Sequence, residues 1–241
     1  MENKYVRLQW DSDFFGFEVA RITRFDIDAP CLSLILRELK TNNYRMVYWY
    51  VPSGHQMATR VAQMHGGLLA DEKVTYVKEL TCTTLASRSS SYSTIPYLYE
   101  EPEPALINLA LESGEYSRFR LDPLFPAELF EKLYSCWITR AVRKENAWEV
   151  LVVKDKVNIL GLISLGSKDE RGDIGLLAVS SQARRKGIGG TLVADAERCF
   201  VERGYAVAQV VTQRANTAAC KLYETCGYRV EKIDNIFHFW L

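Results

Sequence analysis

The chain has 241 residues, 48% hydrophobic and 25% charged, the proportions of a globular protein long enough to bury a substantial core. Its 30 basic residues balance 30 acidic ones, so there is no bulk electrostatic case for nucleic acid or an anionic membrane as partner. With 6 cysteines but no Cys-x-x-Cys pair, only 3 histidines and no apolar run long enough to span a bilayer, the expectation is a cytoplasmic protein with reduced thiols, no metal, no disulfide framework and no secretory leader.

In chain order, residues 4–10 read as a strand, Trp10 to Gly16 as a turn and residues 17–25 as a second strand. A helix over 29–42, a strand over 45–51, a helix over 56–65 and a strand over 75–80 follow. Thr83 to Ser93 is rich in Ser and Thr and is followed by Pro96, Pro102 and Pro104, which marks a linker. The chain is therefore expected to divide into an N-terminal α/β domain, 1–85, a linker, 86–94, and a C-terminal domain, 95–241.

The C-terminal part reads as a strand over 95–99, helices over 104–112 and 126–144, and strands over 148–154, 159–166 and 174–179. After a basic, glycine-rich turn, Ile188, Leu192, Ala196 and Cys199/Phe200 fall at helical spacing. Residues 206–212 read as a strand. A further helix begins near Asn216, carries Tyr223 and stops at Cys226-Gly227-Tyr228. Asn216 and Tyr223 are almost two helical turns apart and so share a face. A faint echo links residues 44–80 to 205–241 at an offset of about 160, with Gln63 standing where Tyr223 stands.

The run Leu177-Ala178-Val179, followed by Arg184-Arg185-Lys186-Gly187-Ile188-Gly189-Gly190-Thr191, is a place for a backbone to grip a phosphate. Glycines let a ligand approach the main chain closely, and the first N–H groups of a helix lack internal partners and sit at the positive end of its dipole. The spacing is neither the three-glycine dinucleotide fingerprint nor a P-loop. Asn216 at its helix start is also a natural N-cap.

Strand, Arg-x-x-Gly-x-Gly helix, strand, then Asn-x-x-Ala-x-x-x-Tyr helix ending in Gly-Tyr resembles the GNAT superfamily of acyl-CoA N-acyltransferases, over roughly Trp148 to Leu241. The resemblance implies a mixed-sheet α/β GNAT fold with an additional smaller N-terminal α/β domain, read through the echo as a degenerate GNAT-like half without a CoA site. It implies acetyl-CoA as co-substrate, its pyrophosphate on Arg184 to Thr191. Its pantetheine arm would lie along the edge Leu177 to Val179 with Asn216 in contact, and Tyr223 would protonate the leaving thiolate. Cys220 and Cys226 flank Tyr223 and raise a covalent route, but small buried hydrophobes are the favoured reading. No general base stands out: His55, His65 and His238 lack a motif, and Glu149, Glu170 and Asp173 are candidates by type alone.

For the acceptor, Trp10-Asp11-Ser12-Asp13-Phe14-Phe15-Gly16 and Ser117-Arg118-Phe119-Arg120 are similar to the dTDP-fucosamine acetyltransferase family. That likeness implies acetyl transfer to the 4-amino group of a dTDP-linked 4-amino-4,6-dideoxy sugar for bacterial surface polysaccharide. A thymidine diphosphate needs flat apolar surface, offered by Phe14, Phe15, Phe119 and Trp137, and cations, offered by Arg118, Arg120 and Arg140. Core packing is the other reading of Phe14 and Phe15. A GNAT enzyme for a protein N-terminus or an aminoglycoside, and a non-catalytic acyl-CoA-binding module, stay open as alternatives, as do monomer and homodimer.

Overall fold

The computed structural model describes residues 4–81 and 91–241, so Cys82 and most of the expected linker lie outside the described residues. The first half runs β1 (Tyr5–Arg7), α1 (Gln9–Phe15), β2 (Glu18–Ile22), α2 (Ala29–Thr41), β3 (Tyr44–Pro52), α3 (Gln56–Met64) and β4 (Leu68–Glu79). The second runs β5 (Ile95–Pro96), α4 (Pro104–Ser113), α5 (Arg118–Leu121), α6 (Ala127–Val142), β6 (Glu149–Lys154), β7 (Ile159–Lys168) and β8 (Arg171–Val179). It ends with α7 (Ile188–Glu202), β9 (Val207–Gln213), α8 (Thr217–Thr225) and β10 (Arg229–Trp240).

Two readings are corrected by local physics. Trp10 to Gly16 is a helix rather than a turn: Ser12 Oγ bonds back to the Leu8 carbonyl at 2.8 Å, and Gly16 closes the helix at φ 74°. The strand expected over 75–80 begins at Leu68, because Asp71 and Lys73 alternate with the buried Val74 and Tyr76 and belong to the same strand.

Among the described residues the ten strands form one sheet in the order β1-β2-β3-β10-β4-β9-β8-β7-β6-β5. The expected division at 86–94 therefore coincides with no break in the sheet: β10 lies between β3 and β4, and β4 pairs with β9. Helices cover both faces. On one, α7 and α8 pack on Val74, Tyr76, Ile174, Ala208 and Val210, and α2 and α3 pack on Val47, Trp49, Phe237 and Phe239. On the other, α4 and α6 cover Val150, Leu162, Met46 and Tyr48. Each fully buried Leu or Phe in these layers contributes about 2 kcal/mol.

The sheet carries an internal two-fold. From Gln56 to Thr217 and from Met64 to Thr225 the spacing is 161 residues, so α3 and α8 are equivalent end to end. The dyad passes through the pair Asp234↔Lys73. Around it Arg229↔Val77 is answered by His238↔Leu68, and Lys232↔Thr75 by Ile236↔Asp71, each β-bulge matched by its mate. Even the caps agree: His55 Nδ1 accepts from Ala58 N at 3.2 Å and Asn216 Oδ1 from Ala219 N at 3.1 Å. This register puts the buried Ala62, not Gln63, at the position of Tyr223.

The halves differ where β8 meets β9. They pair only over Gly172↔Ala208, Asp173↔Gln209 and Ile174↔Val210, and then Gly175 to Val179 diverge. A bulge against β7 drives the divergence. Ser164 Oγ accepts from Leu176 N at 2.8 Å, and Gly175 makes room, since a Cβ there would stand 2.9 Å from Ser164 Oγ. In the first half β2 pairs with β3 to its end at Ile22, the counterpart of Ile174, and no extension follows.

Candidate active site

The splay between β8 and β9 opens a cavity of about 780 Å³ that runs from one face of the sheet to the other. Its first wall is the free edge of β8. Leu176 N and Ser180 N bond toward β7, so by strand alternation the N–H groups of Leu177 and Val179 face the cavity. Leu177, Ala178 and Val179 all line it.

At the mouth, one turn of 3-10 helix (Ser181–Ala183) leads into Arg184, Arg185 and Gly187, then Ile188 to Gly190 at the start of α7. Gly187 takes φ 85°, a conformation that turns the chain so that the unpaired N–H groups of the first turn point into the cavity. Arg184 is not a loose cation: its Nε donates to the Val179 carbonyl at 3.1 Å and it pairs with Glu112 at 2.9 Å. Lys186 and Thr191 lie outside the lining, and Thr191 Oγ1 donates to the Gly187 carbonyl at 3.3 Å. The mouth thus offers unpaired N–H groups that can receive an anion, and the free edge of β8 can pair with an extended chain.

Asn216 and Tyr223 both line the cavity from α8, as their spacing predicts, and Asn216 is at once the N-cap. Tyr223 is 4% exposed, its ring 5.8 Å from Tyr76 and 5.9 Å from Tyr228. Burial raises its hydroxyl above the ordinary 10, with Cys226 and Cys220 adding to the rise, so it stays protonated at neutral pH. Neither cysteine lines the cavity, and Cys220 Sγ is turned to the Gln213 carbonyl at 3.6 Å.

The opposite face supplies a second lobe, walled by Tyr116, Arg118, Phe119, Tyr134 and Trp137 and floored by Asp71, Lys73 and Asp173. Arg118 sits 4.3 Å over the Phe119 ring and 4.9 Å over Tyr48, with its Nε buried and unpartnered. Phe14 and Phe15 do not line the lobe. Phe15 is core, 5.9 Å from Phe119 and 5.1 Å from Phe125, and Phe14 stacks on Trp10. Arg120 and Arg140 also lie elsewhere, over Phe130 and paired with Glu145 respectively.

Of the candidate bases, only Asp173 reaches the cavity; burial raises its carboxyl, partly offset by the Gln209 amide at 2.9 Å. His55 caps α3, His65 contacts the Val61 carbonyl, and His238 is buried against Asp122 at 2.6 Å. Glu170 sits at the exposed β7–β8 turn and Glu149 on β6, both outside the lining. Asp71 and Lys73 are the residues that motif reading missed; their signal was the polar alternation against Val74 and Tyr76. Burial raises Asp71 to about 7 against the pull of Arg118 and Lys73, and burial together with Lys168, Lys232 and Arg118 lowers Lys73. Among the described residues no group of side chains could hold a metal ion, and no helix is long and apolar enough to cross a membrane.

Residues 106–228 match the acetyltransferase (GNAT) family. The chain is 29% identical to a dTDP-fucosamine acetyltransferase of Escherichia coli O6:H1, covering 97% of this chain and 95% of that protein. Its fold resembles a functionally unknown conserved protein from Staphylococcus epidermidis, with TM-score 0.63 and 13% identity over 92% of this chain and 83% of that one. It also resembles a GCN5-related N-acetyltransferase from Sphaerobacter thermophilus, with TM-score 0.57 and 17% identity over 92% and 72%.

Proposed function

We propose, for a chain that belongs to the acetyltransferase (GNAT) family, that it acetylates the 4-amino group of a dTDP-linked 4-amino-4,6-dideoxy sugar. The protein is an acetyl-CoA-dependent N-acetyltransferase. The acceptor is supported by the name of the relative that matches it nearly end to end, and by the chemistry of the second lobe. Trp137, Phe119 and Tyr134 offer flat surface for a base, and Lys73 and Lys168 are cations on the lining that form no ion pair among the described residues.

The observation that carries the reading is one cavity with a mouth of unpaired helix N–H groups on one face of the sheet and an aromatic, charged lobe on the other. Acetyl-CoA supplies the activated acyl group. The N–H groups of Ile188 to Gly190 bind its pyrophosphate, with Arg185 beside them. The β8 edge pairs with the amides of its arm, and the inward N–H of Leu177 stabilises charge on the carbonyl oxygen as the amine attacks. Tyr223, held on α8, donates a proton toward the departing sulfur. Direct attack in a ternary complex needs no acyl-enzyme, in keeping with Cys220 and Cys226 lying outside the lining.

Thiol release from acetyl-CoA tests this with three acceptors: dTDP-4-amino-4,6-dideoxygalactose, a peptide with a free N-terminus, and an aminoglycoside. Release with the sugar nucleotide is expected. Release with only the peptide or the aminoglycoside overturns the acceptor, and release with none of them overturns it too.

A further inference from the structure

An alkylammonium has no lone pair, so a site that acetylates amines needs a place for the acceptor's proton. We propose that Asp71 receives the acceptor's ammonium and takes its proton before attack. The proposal rests on reading the second lobe as the acceptor site.

Position is the first argument. Asp71 is 8% exposed and lines the cavity on the face away from α7 and α8, where an acceptor must enter if the donor fills the mouth. It arrives there on β4, which pairs with β9 on the splayed side of the sheet.

The dyad supplies the second. The counterparts of Asp71 and Lys73 are Lys232 and Asp234, the same two charge types in reversed order. Lys232 and Asp234 close on each other at 3.3 Å, whereas Asp71 and Lys73 form no ion pair among the described residues. The pair that stays open is the one at the cavity.

Electrostatics agree. The groups that face Asp71 are Arg118 from α5, Lys73 and Glu72 from β4, Tyr134 from α6 and the Gln213 amide from β9. Burial outweighs the two cations, so the carboxylate is a stronger base than an exposed one while remaining ionised in a large fraction near neutrality. The step balances. R–NH3+ gives one proton to Asp71 and becomes R–NH2; the N–C bond forms and the C–S bond breaks. The second nitrogen proton passes by way of Tyr223 to the thiolate, and Asp71 returns its own proton to water.

The test is the pH profile of thiol release for wild type, Asp71→Asn and Asp71→Glu, with acetyl-CoA and dTDP-4-amino-4,6-dideoxygalactose. Wild-type kcat/KM for the amine is expected to fall about tenfold per pH unit below about 7. Asp71→Asn should lose about 100-fold at pH 7.5 and move that limb up toward the amine's own pKa, with acetyl-CoA affinity within about twofold of wild type. Asp71→Glu should recover part of the loss. If Asp71→Asn keeps the wild-type limb and stays within about threefold in kcat/KM, the proposal falls. A wild type inactive on the sugar nucleotide sinks the acceptor assignment instead, and the same profiles are then read on the amine that it does acetylate.

Discussion

Replacing Tyr223 by Phe separates chemistry from packing. The phenol ring lies among Tyr76, Tyr228 and the α8 core, and its hydroxyl makes no hydrogen bond among the described residues. Removing the oxygen alone therefore leaves the ring contacts in place and should cost less than about 1 kcal/mol of stability, a shift in Tm below about 4 °C. The chemical cost is larger. A phenol at an ordinary 10 is a weaker acid than a thiol near 8.5, so complete transfer to the thiolate is uphill by about 2 kcal/mol. Burial pushes Tyr223 further up, which makes a free tyrosinate still less accessible. In the proposed role the hydroxyl is a donor that passes on the nitrogen's proton as the C–S bond breaks, and losing it should lower kcat by about 100-fold or more, about 3 kcal/mol in the barrier. The assay is steady-state thiol release beside calorimetric titration with acetyl-CoA. A kcat within about threefold of wild type, with the fold intact, would refute the role. Because Tyr223 stays protonated, it should add no basic limb to the pH profile below about 10.

Gly187→Ala meets open space but a φ of 85°, so it should lose about 1 kcal/mol in thermal denaturation, with Gly187→Asn recovering most of it. Glu197→Gln leaves Lys78 without the carboxylate it grips at 2.7 Å; about 3 kcal/mol should disappear from urea unfolding while kcat is unchanged, since neither residue lines the cavity. Asp71→Asn should stabilise the fold with a definite pH sign. A carboxyl raised from 3.8 to about 7 makes the folded state bind more protons than the unfolded, so wild-type stability falls as pH rises from about 4 to 7. The variant removes that slope, a gain of at most about 4 kcal/mol at pH 8 that vanishes below pH 4; a pH-independent difference would contradict it. A fragment of residues 95–241 should not fold alone, because β9 and β10 both lose β4; a cooperative melt of that fragment would contradict this.

What the sequence made legible was whatever has a backbone reason. Gly187 and the glycines after it, Asn216 at a helix start and Tyr223 on the same face are fixed by helix geometry, and all line the cavity. What it obscured was fixed by distant partners. Phe14 and Phe15 read equally as a stacking platform or as core; the packing of Phe125 and Phe119 against Phe15 decides that residue for core, and Phe14, half-buried, stacks on Trp10 outside the cavity. Arg184 reads as a free cation until Glu112, 72 residues away, claims it. Asp71 and Lys73 were hidden because a strand whose polar side faces a cavity looks, in one dimension, like a loop before a shorter strand.

The site also explains what the first half supplies without a splay of its own between β2 and β3. A cleft of this kind needs a strand that outruns its neighbour, and β2 stops at Ile22 where β8 runs five residues past Ile174. Yet β4, the last strand of that first half, does not stay with it: it crosses the dyad to lie between β10 and β9. It pairs with β9 from Lys73 to Glu79 and with β10 along most of its length, so the second half's sheet is continuous only because the first half supplies a strand. The same strand carries Asp71 and Lys73 into the second lobe, the acceptor site of the proposed reading. Changes in the first half that shift β4 by one residue would turn both charges to the α7 face, close the lobe with Glu72 and Val74 and leave the donor mouth untouched. On the proposed reading, acceptor choice and sheet integrity are thus tied to one strand, while the donor grip belongs to the second half alone.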